Sequence, residues 1–154
     1  MATVYSAQKT LTDVNNPSEK TKTNEMAGRV RIAFGSYEAA GLSAGDVIQM
    51  FNLPNGARLL SGSIAHDAMG SSTTLSVGYA AYKNSAGTAV SLSAAAYKAA
   101  ASSASAGLAD ILATIALGNG SEVDADGDGL PISVTLAGAA ATGTIQCTIM
   151  YVTD

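Results

Sequence analysis

The densest run of possible ligands in this sequence is Asp124-Ala125-Asp126-Gly127-Asp128-Gly129. Carboxylates at the first, third and fifth places with Gly at the sixth open an EF-hand-type loop, because a hard cation gathers several oxygens around a sharp glycine turn. Asp124, Asp126 and Asp128 are therefore candidate calcium ligands, with Glu122 upstream as a further oxygen donor. The far end departs from the pattern. The twelfth place holds Thr135 where a bidentate Glu belongs, Pro131 interrupts the exit, and the run leads toward a strand rather than a helix. A weak calcium site and an acidic turn between two strands both remain open, and the departures weigh toward the turn. No other cofactor is expected.

Nucleophilic or acid–base chemistry has little to draw on. His66 stands beside Asp67, the start of a general-base pair. Neither Gly62-Ser63 nor Gly70-Ser71 sits in the Gly-x-Ser-x-Gly setting that exposes a nucleophile on a strained turn, so His66 reads as a structural or surface residue. Cys147 lies mid-strand with Ile145 and Ile149 on its own face and reads as a small buried hydrophobe. Gly35, Gly41, Gly45 and Gly56 match no phosphate-cradling spacing. The chain is not expected to be an enzyme.

Charge narrows the partners. Lys and Arg number 8 against 12 Asp and Glu, a net charge of −4, which is not the footprint of a nucleic-acid binder. The distribution is uneven: Lys9, Lys20, Lys22, Arg29 and Arg31 give the first 31 residues a basic balance, and the remainder is acidic. Such asymmetry bears on association, and these five residues are candidate docking contacts for an acidic surface. Cys147 is the sole cysteine, which excludes an intramolecular disulfide framework. The residues after Met1 do not read as a secretory leader, and no apolar run is long enough to span a bilayer. Synthesis in the cytoplasm, with any later location reached by assembly, is the expectation.

The elements that must carry these residues follow from periodicity. Val30, Ile32 and Phe34 alternate with Arg29 and Arg31, which predicts a half-buried strand with its apolar side inward. Strands are also predicted over 46–53, 57–67, 73–79, 132–136 and 144–152, separated by Gly-rich turns such as Asn55-Gly56. Leu92 to Ala106 holds eight alanines and no Gly or Pro, which predicts one short helix ending near Gly107. Leu108 to Leu117 alternates more like a strand. Residues 1–25 are polar and read as an extended N-terminal arm that orders on a neighbour, ahead of a single domain over 26–154. The expected fold is mainly all-β: a two-sheet antiparallel sandwich of jelly-roll type with one Ala-rich helix.

Half of the 154 residues are Ala, Gly, Ser or Thr, and 13% are charged. The stretches 57–67 and 69–79, two strands joined by a Gly-Ser turn, followed by the Ala-rich 94–106, resemble a recurring pattern in small virion structural proteins of tailed bacteriophages. The resemblance spans residues 27–117 and implies a head decoration, or cement, protein on the particle exterior. It further implies contact with the major capsid protein and with copies of itself as a homotrimer, without catalytic residues and without nucleic-acid or membrane partners. A tail or head–tail connector component is the alternative within that class. A carbohydrate-binding or calcium-dependent β-sandwich module is the alternative outside it.

Overall fold

The computed structural model describes residues 4–13 and 20–153, with the side chains of residues 12 and 13 left aside. A short helix α1 (Ala7–Asp13) precedes ten strands: β1 (Arg29–Leu42), β2 (Val47–Leu53), β3 (Arg58–His66), β4 (Thr74–Tyr79), β5 (Tyr82–Lys83), β6 (Ala89–Val90), β7 (Ser93–Ser102), β8 (Gly107–Ile111), β9 (Leu130–Ala137) and β10 (Ala141–Thr153). One 3₁₀ turn, Ile115–Leu117, follows β8.

Two four-stranded antiparallel sheets carry the fold, ordered β1-β10-β3-β8 and β2-β9-β4-β7. Setting aside the small β5–β6 hairpin, the first long strand pairs with the last, the second with the seventh, the third with the sixth and the fourth with the fifth. This is one long antiparallel ribbon rolled up on itself. The pairs β10–β3 and β4–β9 then close the two sheets. Rolling the ribbon in this way produces the jelly roll, with β1, β8, β2 and β7 as the edge strands of the two sheets.

The core is the space between the sheets. Ile145, Cys147 and Ile149 of β10 face Ile132, Val134 and Leu136 of β9, and all six are fully buried. Leu75 and Val77 of β4 point the same way, as their alternation predicts. In β3 the ladder slips between Ser61 and Leu59, so Leu60 is an extra residue. That bulge lets both Leu59 and Ile64 reach the core although they differ in parity.

Two expectations are overturned. The Ala-rich run is a strand, β7, not a helix. Alanine's helical preference amounts to a few tenths of a kcal/mol per residue over most others, whereas β4 would otherwise lose the partner for its buried backbone. Thr74, Leu75, Val77 and Tyr79 of β4 pair with Ser102, Ala101, Lys98 and Ser93. The register slips by several residues on the β7 side, and Tyr97 fills the space gained, its ring 6.0 Å from that of Tyr79. Among the described residues the one α-helix lies instead in the segment expected to be an extended arm, where the Ser6 hydroxyl accepts from Lys9 N at 3.2 Å.

The second correction concerns β1. Val30, Ile32 and Phe34 point outward, 59%, 65% and 58% exposed. Ala33, Gly35 and Ala39 take the inward positions. Space decides this: a side chain at Gly35 would meet Met50 O at 2.9 Å and Phe51 Cδ1 at 3.1 Å, so only the small-residue face of β1 fits against β2.

Candidate functional site

The acidic loop does not gather its carboxylates. Asp124 Oδ1 accepts from both the backbone N–H and the hydroxyl of Ser85. These bonds hold its carboxyl below the usual carboxylate range. Asp126 Oδ1 turns back to accept from Asp128 N at 3.1 Å, while the Asp128 carbonyl accepts from Asn52 Nδ2 at 2.8 Å. Asp126 N also donates to Lys83 O at 2.9 Å. The loop therefore pins the β5–β6 hairpin to the sandwich. Among the described residues no group of three or more His, Cys, Asp or Glu side chains is placed to hold a metal. Beside the loop lies an open concavity of about 480 Å³ lined by Asn52, Tyr82, Lys83, Asp126, Asp128 and Pro131.

His66 ends β3, and its Nδ1 lies 2.9 Å from the carbonyl of Asp67. The Asp67 carboxylate accepts from the Thr144 backbone N–H at 3.0 Å, which ties the end of β3 to β10. The concavity there, about 530 Å³, is lined by Ala65, His66, Gly107, Thr144 and Gln146, and the Thr144 hydroxyl donates to the Glu38 carboxylate. Cys147 is fully buried, and desolvation pushes its thiol up to about 12. A thiol so far from ionisation at neutral pH is chemically inert in the folded chain.

The five basic candidates are scattered. Lys9 lies on α1 and Lys20 is exposed. Arg29 and Arg31 begin β1 and are both exposed. Lys22 is engaged within the chain, its Nζ 2.8 Å from Glu122 Oε2. Arg58 reaches the same carboxylate at 3.2 Å, contacts Glu25 at 3.2 Å and donates to Gly120 O at 2.7 Å. Asn24, buried, donates to Gly56 O at 2.9 Å. Residues 20–28 thus form a strap across the end of the sandwich. At Gly28 the strap runs so close to β10 that an added Cβ would overlap Val152.

This anchor is sensitive to acid. The hydrogen bond from Lys22 is the main cause holding the Glu122 carboxyl below its ordinary value, with the charges of Lys22 and Arg58 adding to it against partial desolvation. A carboxylate lowered by folding contributes stability that is complete above its unfolded value and disappears as pH falls through the lowered one. Thermal melting followed from about pH 7 to about pH 2 should therefore show a steeper acid limb for the natural chain than for Glu122→Gln, because the variant has no proton to take up there. Equal limbs would show that the ion pairs hold nothing.

Sequence reasoning missed the outer face of the first sheet. Val30, Ile32 and Phe34 of β1 stand next to Met150 and Thr148 of β10, since Ile32 pairs with Met150 and Phe34 with Thr148. Ser61 and Ser63 of β3 continue the face, and Leu108 of β8 is exposed at its far side. The result is a largely uncharged stripe at the sheet's edge. Its signal in the sequence was the string of small residues, Ala33, Gly35 and Ala39, alternating with the large ones.

No protein-family model matches the chain, and no curated protein matches it. Its fold is shared with solved structures. One is a chain of the cyanophage Pam1 capsid asymmetric unit, with a TM-score of 0.65 and 22% identity over 100% of both chains. Another is a chain of the capsid of Ralstonia phage GP4, with a TM-score of 0.62 and 22% identity over 90% of this chain and 93% of that one. Among the described residues no helix is long and apolar enough to cross a membrane.

Proposed function

We infer that this chain is a structural protein of a phage particle, and specifically a decoration protein that seats on the outside of the head and braces the major capsid protein. The observation that carries this reading is the match along entire chains to a component of a phage capsid asymmetric unit. The correspondence takes in the whole of both chains. The role is adhesive and non-enzymatic. A shell under outward load is held by many contacts on stiff strands, and two packed sheets supply stiffness.

The exposed stripe on β1 offers apolar contact, while Arg29 and Arg31 at its start, with Lys9 ahead of the strap and Lys20 at its beginning, suit an acidic shell surface. An N-terminal segment reaching out from its anchor at residues 20–28 would order on a neighbour and span a junction between subunits. Self-association on the shell belongs to the same reading, with the homotrimer at three-fold points of the particle as its simplest form.

Co-sedimentation tests it. The purified chain is expected to pellet with empty phage heads and to raise the temperature at which they rupture. Deleting residues 1–19, which leaves the strap in place, removes the reach across the junction together with Lys9 and is expected to weaken that binding about tenfold, or about 1.4 kcal/mol. Pelleting with isolated tails and not with heads would favour the connector alternative. Binding to neither particle would overturn the proposal.

A further inference from the structure

The exposed stripe lies on a strand that is also an open edge. β1 is the terminal strand of its sheet and pairs with β10 on one side only. Among the described residues no backbone hydrogen bond satisfies its other side between Arg29 and Ala40. Natural sheets guard such edges with prolines, bulges, charges or a covering element, since unpaired N–H and C=O groups are a template for another strand. From Ile32 to Tyr37 there is no proline and no charged residue, and the ladder with β10 is regular. The bulge of this strand comes later, between Ala40 and Leu42.

We propose that the free edge of β1 pairs antiparallel with β1 of a second copy of this chain, merging the two outer sheets across a two-fold axis near Ala33. Such an isologous contact uses one patch twice, so the patch must complement itself. With the axis at Ala33, Ile32 of one copy stands opposite Phe34 of the other, twice over, and Val30 stands opposite Ser36. Pairs of β-branched and aromatic side chains facing each other across strands are among the favourable ones. The apolar side chains that the fold leaves in water thus cover one another on the same face.

Charge selects the direction and the register. Arg29 and Arg31 lie at one end of the strand and Glu38 toward the other. A parallel pairing in register would set arginines against arginines. The antiparallel one carries the basic end of each strand to the acidic end of its partner. Arg29 falls opposite Tyr37, where a guanidinium lies over a phenol ring. The two copies of Arg31 stand about 14 Å apart at ~3.4 Å per residue, farther than the ~8 Å over which salt leaves surface charges in contact. Sliding the axis toward Val30 would bring the arginines together, so they act as stops that fix the register.

The contact rests on the edge and its side chains, independently of shell binding. The full-length chain is to be followed by sedimentation from about 1 μM to about 1 mM, the span of weak to moderate association. Dimers are expected, and Phe34→Lys is expected to weaken them at least ~100-fold by desolvating an unpaired charge. Because Phe34 is exposed in the single chain, Phe34→Lys should keep the natural far-ultraviolet spectrum and melting temperature at low concentration.

Register is read by mixing Ile32→Cys with Phe34→Cys chains under oxidation. The mixture should yield disulfide-linked pairs faster than either variant alone, and buried Cys147 does not compete. A monomer over the whole range overturns the proposal, as does an oligomer, a trimer included, that Phe34→Lys leaves intact. Exchange-protected β1 edge amides in a monomer would show the chain's own N-terminal segment on the edge, which also overturns it. A monomer that still pellets with phage heads would refute this contact alone.

Discussion

Replacing Gly78 with alanine is expected to cost about 4 kcal/mol or more, a large part of the 5–15 kcal/mol that holds an ordinary domain together. The cause is a single atom. A Cβ at Gly78 would lie 1.8 Å from the Ser93 carbonyl oxygen and 2.8 Å from the Ala94 carbonyl carbon. Both neighbours are backbone of β7, at the point where its ladder with β4 changes register. A flexible side chain can swing away, whereas a strand can withdraw only by breaking its ladder. Loss of the β4–β7 pair would also unseat Tyr97, which is buried against Tyr79. Differential scanning calorimetry should show the midpoint falling by roughly 10 °C or more, at 2–4 °C per kcal/mol for a chain of this size. Gly127→Ala is the control, since a Cβ there meets nothing within 4 Å. It should melt like the natural chain. If both variants melted alike, the close approach of β7 would not hold in solution.

The second large effect is expected at Ile149. This side chain is fully buried on β10, the strand paired on both sides, and its cross-strand partners are Ala33 on β1 and Gly62 on β3. Truncation to alanine removes apolar atoms and leaves a void whose cost depends on whether neighbours can collapse into it. Here the flanking residues are the two smallest that exist. Ile149→Ala is therefore expected to lose about 3–4 kcal/mol, toward the upper part of the range for such changes, and Ile149→Val about 1 kcal/mol. Urea unfolding with an unchanged slope would measure it. A loss below about 1 kcal/mol for the alanine variant would mean that the sheets close over the gap.

Both sites depend on the small residues that make up half of the chain. Their abundance looks bland in a composition, yet the structure spends them at specific places. Gly35 and Ala33 let β1 lie on β2, Gly62 lets β3 lie beside Ile111 and Thr148, and Gly78 admits β7. Small side chains on one face oblige the large ones on the same strand to stand on the other. That is how β1 comes to present Val30, Ile32 and Phe34 to solvent, and why the candidate contact surface arises as a consequence of packing.

The candidate chemistry in the sequence fared differently from the candidate strands. Asp124, Asp126 and Asp128 have the spacing of an ion-binding loop, but spacing does not say what else competes for the carboxylates. Ser85, far away in sequence, takes Asp124, and the loop's own backbone takes Asp126. Lys22 was legible as a basic residue but not as a partner of Glu122, because their proximity exists only after the strap crosses the end of the sandwich. For Asp124 and Lys22 the missing information was a partner distant along the chain; for Asp126 it was the turn of the loop's own backbone.

Alternation alone determined that β4, β9 and β10 are strands and which of their faces is inward, since period two is a local property and Leu75, Val134 and Ile149 have no competing choice. Glycine-rich turns between such runs determined the two-layer architecture. Tertiary structure alone decided that the alanine run is β7 and that the apolar side of β1 faces water. An alanine run favours a helix by only a few tenths of a kcal/mol per residue, which strand pairing can outweigh, and a strand with one small and one large face can be turned either way. Only the unpaired edge of β4 in the first case, and the space already filled by Met50 and Phe51 in the second, removes the ambiguity.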